Sequence, residues 1–153
     1  MKRYAMVGLV VLGLLLAGCG GGSGKTKNPS FNQAQATAAI KTAYTTVFSA
    51  GGNFDQKATY IEDGATVEPL LRQLSTTALG KSKIQTTVTK VTFSSHTSAN
   101  VNFTVTLGGS PFQLTGKAIY QDGRWKVAKE TFCGLASQAT GGKLPAVCST
   151  SSK

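Results

Sequence analysis

Near Lys83 the hydrophobic period of this chain changes, and that change limits the fold more than any other feature. Before it, apolar residues recur three and four apart: Ala36, Ile40, Ala43, Tyr44, Val47 and Phe48 share one face of a helix predicted over Asn32 to about Ser49. After it, Ala99, Val101, Phe103, Val105 and Leu107 alternate with Asn100, Asn102, Thr104 and Thr106, the period of a half-buried strand. Helices followed by strands, rather than interleaved with them, predict an α+β fold with an antiparallel sheet.

Local signals set the remaining elements. Gly51-Gly52 stops the first helix, and Asn53 caps a short second one with Gln56 in the reciprocal capping position. Phe54, Ala58 and Ile61 form its inner side, and Gly64 is read as its end. A third helix is predicted from near Thr66, with Pro69 in its first turn, Leu70, Leu71, Leu74 and Leu79 inward, and Gly80 as its stop. Lys83 to Ser94 is a strand whose apolar positions fall out of phase, so a bulge is expected near Thr89-Lys90. Gly108-Gly109 turns the chain into a row of Phe112, Leu114, Gly116, Ala118 and Tyr120. Asp122-Gly123 is a hairpin signal, and Trp125 and Val127 open a last strand predicted to run to about Phe132. The expectation is three helices packed on a curved four-stranded sheet, bent at the bulge and at Gly116.

The N-terminus carries a different message. Lys2 and Arg3 precede an apolar run from Ala5 to Leu16, too short for a permanent span and suited to an export signal. Leu16-Ala17-Gly18-Cys19 resembles the lipobox of bacterial lipoproteins. That resemblance implies cleavage between Gly18 and Cys19 and attachment of acyl chains, palmitate among them, to Cys19. Two chains make a stable anchor where one is marginal. The implied divisions are a signal peptide over 1–18, a lipidated cysteine and flexible tether over 19–30, a cone-shaped domain over 31–132, a flap over 133–148 and a disordered tail over 149–153. The tether GGGSGKTKNPS has a typical reach of about 18 Å. Its Ser-Gly-Lys-Thr imitates the end of a phosphate-binding loop, but Cys19 stands where that motif needs glycine.

With Cys19 assigned to lipid, Cys133 and Cys148 remain, and an even remainder in an exported chain predicts a disulfide. Closing that loop is worth roughly 3 kcal/mol in the chain-entropy model. Formal charge is +10. The basic residues, Lys41, Lys57, Lys81, Lys83, Lys90, Lys117, Lys126, Lys129 and Lys143, are dispersed and read as a solvated surface. Nucleic acid is a poor partner for an exported chain without a binding motif. The lone His96 in a Ser-rich turn reads as exposed, and no metal or cofactor motif is present.

The order of helices and bent meander, closed by Ala118-Ile119-Tyr120-Gln121-Asp122-Gly123-Arg124-Trp125-Lys126-Val127, resembles the nuclear transport factor 2-like fold. Over residues 31–132 the chain is similar to actinobacterial lipoproteins of the mycobacterial low-molecular-weight antigen family. The resemblance implies an exported domain without established catalysis. A cone of this kind can enclose an apolar cavity, and Tyr44, Phe48, Tyr60, Phe103, Phe112, Tyr120 and Trp125 are its candidate lining. Isomerase or dehydratase chemistry would need a carboxylate or His inside the cone. Asp55, Glu62, Asp63 and Glu68 instead lie at helix ends, and Glu130 is predicted to face outward. The expected role is a non-catalytic binding or envelope-accessory domain, with a small apolar ligand as the alternative reading. The polar sheet face (Asn100, Asn102, Thr104, Thr106, Gln113, Thr115, Lys117) is the candidate surface for an envelope protein or a second copy.

Overall fold

The computed structural model describes residues 31–77 and 82–149. By contacts the chain divides into Met1–Ser30 and Phe31–Lys153, and only the second unit is described. The export segment, Cys19, the tether, Leu79, Gly80, Lys81 and the final four residues lie outside the described residues.

Helix α1 (Gln33–Val47) buries Ala36, Ile40, Ala43, Tyr44 and Val47, the stripe that its periodicity dictates. Asn32 caps it: Oδ1 accepts from the Gln35 N–H at 3.0 Å, a contact worth about 1 kcal/mol. Asn53 does the same for α2 (Phe54–Thr59), accepting from the Gln56 N–H at 3.1 Å. The chain then departs from the expected course. Helix α2 ends at Thr59, and Ile61 runs alongside the last strand in a parallel bridge to Val127. The Glu62 N–H donates to Val127 O and the Val127 N–H to Tyr60 O, at 2.9 and 2.8 Å, so this segment covers a sheet edge that would otherwise be open. Gly64 does not close α2 but opens α3 (Gly64–Ser75), and Pro69 therefore lies inside that helix rather than in its first turn. A side chain at Gly64 would meet the Ala58 carbonyl at 1.7 Å, so close packing, not helix termination, is what requires glycine here.

The sheet is an antiparallel meander in the order β1 (Ile84–Phe93), β2 (Ser98–Leu107), β3 (Ser110–Gln121), β4 (Arg124–Val127). Val88 pairs with Phe103 and Lys90 with Asn102, leaving Thr89 as the extra residue of a bulge where the phase break predicted one. Gly108-Gly109 and Asp122-Gly123 both turn with positive φ at each central residue, the primed geometry that matches strand twist. Helix α1 packs against β1 and β4, and the core gathers between them around Tyr44, Phe103, Ile40 and Val101.

The last strand is shorter than expected. It ends at Val127, and Lys129–Ala139 forms a fourth helix, α4, which buries Phe132, Cys133 and Ala136 in the same core. The domain thus extends past residue 132, and the segment read as a disulfide-closed flap is largely helical. Ala128 offers α4 no side-chain cap; the Lys129 N–H is taken instead by the Glu62 carboxylate at 2.9 Å, from the loop before α3. Cys133 is bonded to Cys148, Cα to Cα 5.6 Å, which ties α4 to a short 3-10 turn at Ala146–Cys148.

Candidate functional site

Where α3, α4, the end of α1 and the sheet diverge, the core opens into a cavity of about 460 Å³, within the range of small-molecule sites. Val47 and Phe48 come from the end of α1, Leu71 and Leu74 from α3, and Phe132, Leu135, Ala136 and Ala139 from α4. The sheet contributes Ile84, Val105, Leu107, Phe112 and Leu114. The wall is mainly apolar because α1, α3, α4 and the sheet each turn apolar side chains toward this space.

The seven candidate aromatics do not converge on it. Phe48 and Phe112 line the cavity. Phe112 is half exposed, at 50%, and stands at its edge. Tyr44 and Phe103 sit behind Phe48 in the solid core; the Phe48 and Phe103 rings stack at 5.6 Å, and Tyr44 meets Phe103 edge-on at 4.9 Å. Tyr60 lies under the Arg124 guanidinium, 5.8 Å from ring centroid to charge. Trp125 and Tyr120 belong to a separate aromatic group with Phe93 and Phe31, and His96, exposed as expected, stacks on Phe31. An aromatic side chain reports that a residue is large and apolar, not which side of the packing layer it occupies.

Tyr44 has a different task. Its hydroxyl donates to Lys117 O at 2.8 Å, while the Lys117 N–H donates to Thr131 Oγ1 at 2.8 Å. Both groups reach the β3 backbone because Gly116 has no side chain there. Burial raises the Tyr44 phenol well above its usual range, partly opposed by the Thr131 hydrogen bond.

The residue missed entirely in the sequence is Lys57. It is not part of a solvated basic surface but 5% exposed, and it lines the cavity. Its Nζ donates to Ser49 O at 2.5 Å and lies 6.0 Å from the Phe54 ring centroid. Lys126 and Lys129 are buried too, yet each meets a carboxylate: Asp122 at 2.7 Å and Asp63 at 3.9 Å. Lys57 pairs with no carboxylate among the described residues, and burial holds its ammonium below the ordinary lysine value. The other polar lining groups are Ser49, Ser75, Thr77 and Gln138. No Asp, Glu or His lines the cavity among the described residues, and no three of His, Cys, Asp or Glu gather there to hold a metal ion. Glu130 is exposed and paired with Lys117 at 2.8 Å.

Over residues 33–143 the sequence matches the family described as low molecular weight antigen MTB12, C-terminal domain. The chain belongs to the MTB12 low-molecular-weight antigen family. The matched stretch takes in α4, so the fourth helix lies within the family domain. No curated protein matches the chain significantly. Among solved structures, it is similar to a proposed NTF2-like transpeptidase of Campylobacter jejuni, at 13% identity and a TM-score of 0.41, covering 63% of this chain and 98% of that one. It is also similar to an LEH-like epoxide hydrolase of M. tuberculosis, at 15% identity and a TM-score of 0.38, covering 70% of this chain and 94% of the other.

Proposed function

We propose that this member of the MTB12 antigen family is a non-catalytic binding module, carried on the outer face of the cell membrane by acyl chains on Cys19, and that its ligand is a small apolar molecule held in the cavity. The observation that carries the reading is the cavity itself: about 460 Å³ of partly open space walled by Phe48, Leu71, Leu74, Leu107, Leu114 and Leu135. Apolar wall of this extent, open on one side, gains by being taken out of water, and an apolar ligand seated in the concavity does that. The lining also speaks against acid–base chemistry, because its ionisable group among the described residues is one lysine with no second group to exchange a proton. Membrane attachment rests on the basic start, apolar run and Leu-Ala-Gly-Cys ending of the first 19 residues.

Native mass spectrometry tests the binding. The chain from residue 20 onward, exported from a bacterial host behind a cleavable leader, is expected to carry a non-covalent adduct. Ala139→Trp, which fills the cavity from α4, is expected to abolish it. A wild-type chain of bare polypeptide mass that takes up no apolar dye contradicts the proposal. Incorporation of labelled fatty acid into the full chain, lost in Cys19→Ala, tests the anchor.

A further inference from the structure

The cavity holds a buried cation, and that feature narrows the chemistry of its ligand. We propose that the occupant is a single-chain amphiphile with an anionic oxygen head, whose carboxylate or phosphate pairs with Lys57 while its hydrocarbon tail lies along Leu71, Leu74, Leu107, Leu114 and Leu135. This rests on the binding reading above and specifies the ligand of that same site.

Three observations carry it. First, Lys57 is 5% exposed and lines the cavity, so it stands on the same wall a ligand would touch. Second, its protein partners leave it incompletely satisfied. An ammonium has three donors, and here Ser49 O accepts one at 2.5 Å, with the Phe54 face 6.0 Å away as weak support. Third, the two other buried lysines among the described residues show how this fold treats an enclosed cation elsewhere. Lys126 has Asp122 and also Gln121, and Lys129 has Asp63. An enclosed charge without a counter-ion is strongly unfavourable unless something supplies one. At Lys57 the open side is the cavity, and the lining has no carboxylate to fill the role.

The surroundings agree. The Ser49–Asn53 turn, with Gly51 and Gly52 at φ +63 and +93, wraps over the lysine, and a side chain at Gly52 would meet its Cε at 3.5 Å. Lys57 is thereby held against the cavity wall instead of extending to solvent. Ser49 and Gly51 also line the cavity beside it, while the leucines and Ala139 make up most of the remaining wall, with Ser75, Thr77 and Gln138 among them. A polar head and an apolar tail thus meet different parts of one space.

Isothermal titration of the chain from residue 20 onward with a matched head-group series tests the inference; residues from Phe31 onward form a compact unit containing the whole hydrophobic core, so this chain keeps the site intact. The probes are dodecanoate, dodecyl phosphate, dodecanol and dodecylamine, each below its micelle concentration. The expected result is that an anionic probe binds at least about tenfold more tightly than dodecanol, the advantage of a hydrogen bond to a charged group over a neutral one. Dodecylamine is expected to bind least. The tighter of the two anions identifies the head. Lys57→Met, which keeps an apolar stem, is expected to bring the anions down to the dodecanol affinity and leave dodecanol unchanged, while Lys57→Arg retains the preference. Equal binding of dodecanol and both anions to the wild type, or preference for the amine, overturns this inference but leaves the apolar-ligand reading standing. Absence of binding by all four probes overturns both. The head-group series on the wild type decides the matter even where Lys57→Met does not fold.

Discussion

Replacing Gly116 with alanine tests the packing logic of the domain at its tightest point. The added methyl would stand 2.4 Å from Thr131 Cγ2, 2.8 Å from Tyr44 Oη and 3.0 Å from Thr131 Oγ1. These neighbours are side chains and can move, but each is committed. Moving Tyr44 lengthens its 2.8 Å bond to Lys117 O, and moving Thr131 lengthens the 2.8 Å bond from the Lys117 N–H. Two such bonds are worth about 1 kcal/mol each, and overpacking costs about 1–3 kcal/mol. Removing a glycine from a strand interior returns roughly 0.5–1 kcal/mol. The net expectation is a loss of about 2–4 kcal/mol, read as a lower urea midpoint at unchanged slope. Thr131→Ser deletes the methyl involved in the closest overlap and keeps the hydroxyl. It should therefore rescue Gly116→Ala by about 1 kcal/mol or more relative to its effect alone, a coupling that a double-mutant cycle measures directly. A Gly116→Ala loss below about 0.5 kcal/mol, or strict additivity of the two changes, refutes the reasoning, since it would mean that β3 does not need close approach here.

Other perturbations follow from the same contacts. Gly64→Ala would drive a methyl to within 1.7 Å of a backbone carbonyl, and a loss above about 4 kcal/mol, seen as failure to give a cooperative thermal transition, is expected. Converting Cys133 and Cys148 together to serine should cost about 3 kcal/mol and raise amide exchange in α4 and the 146–148 turn before the sheet. Tyr44→Phe should cost about 1 kcal/mol at neutral pH and also change the alkaline limb. Because burial raises the folded phenol while the unfolded one ionises near 10, wild-type stability holds below about pH 10 and falls above it; the variant, followed by urea midpoints from neutral to alkaline pH, should lack that part of the fall.

The elements that could be read in the sequence are those whose causes are local. The Asn32 and Asn53 caps, the two primed turns and the strand alternation each depend on residues a few positions apart, and even the Thr89 bulge announced itself as a break of phase within one strand. Helix α4 escaped because its first amide is capped by Glu62, a residue 67 positions away, while Trp125 to Ala128 reads as a strand that continues. Its apolar stripe of Phe132, Ala136 and Ala139 at helical spacing was the available signal. Lys57 escaped for a related reason. A lysine among scattered lysines looks solvated until a glycine turn from the preceding helix is folded over it. The candidate aromatics are large and apolar, which does not say where they stand: Phe112 and Tyr120 are exposed, and the cavity wall is made mostly by leucines and by α4, so its position could not be read without that helix.

The most direct measurement of the central claim is the methyl NMR spectrum of the chain titrated with dodecanoate. Binding in the cavity predicts shifts at Leu71, Leu74, Leu107 and Leu135, with the core methyls of Val101 and Ile61 unmoved. An unchanged spectrum at saturation, or shifts confined to the surroundings of Trp125 and Tyr120, would contradict it.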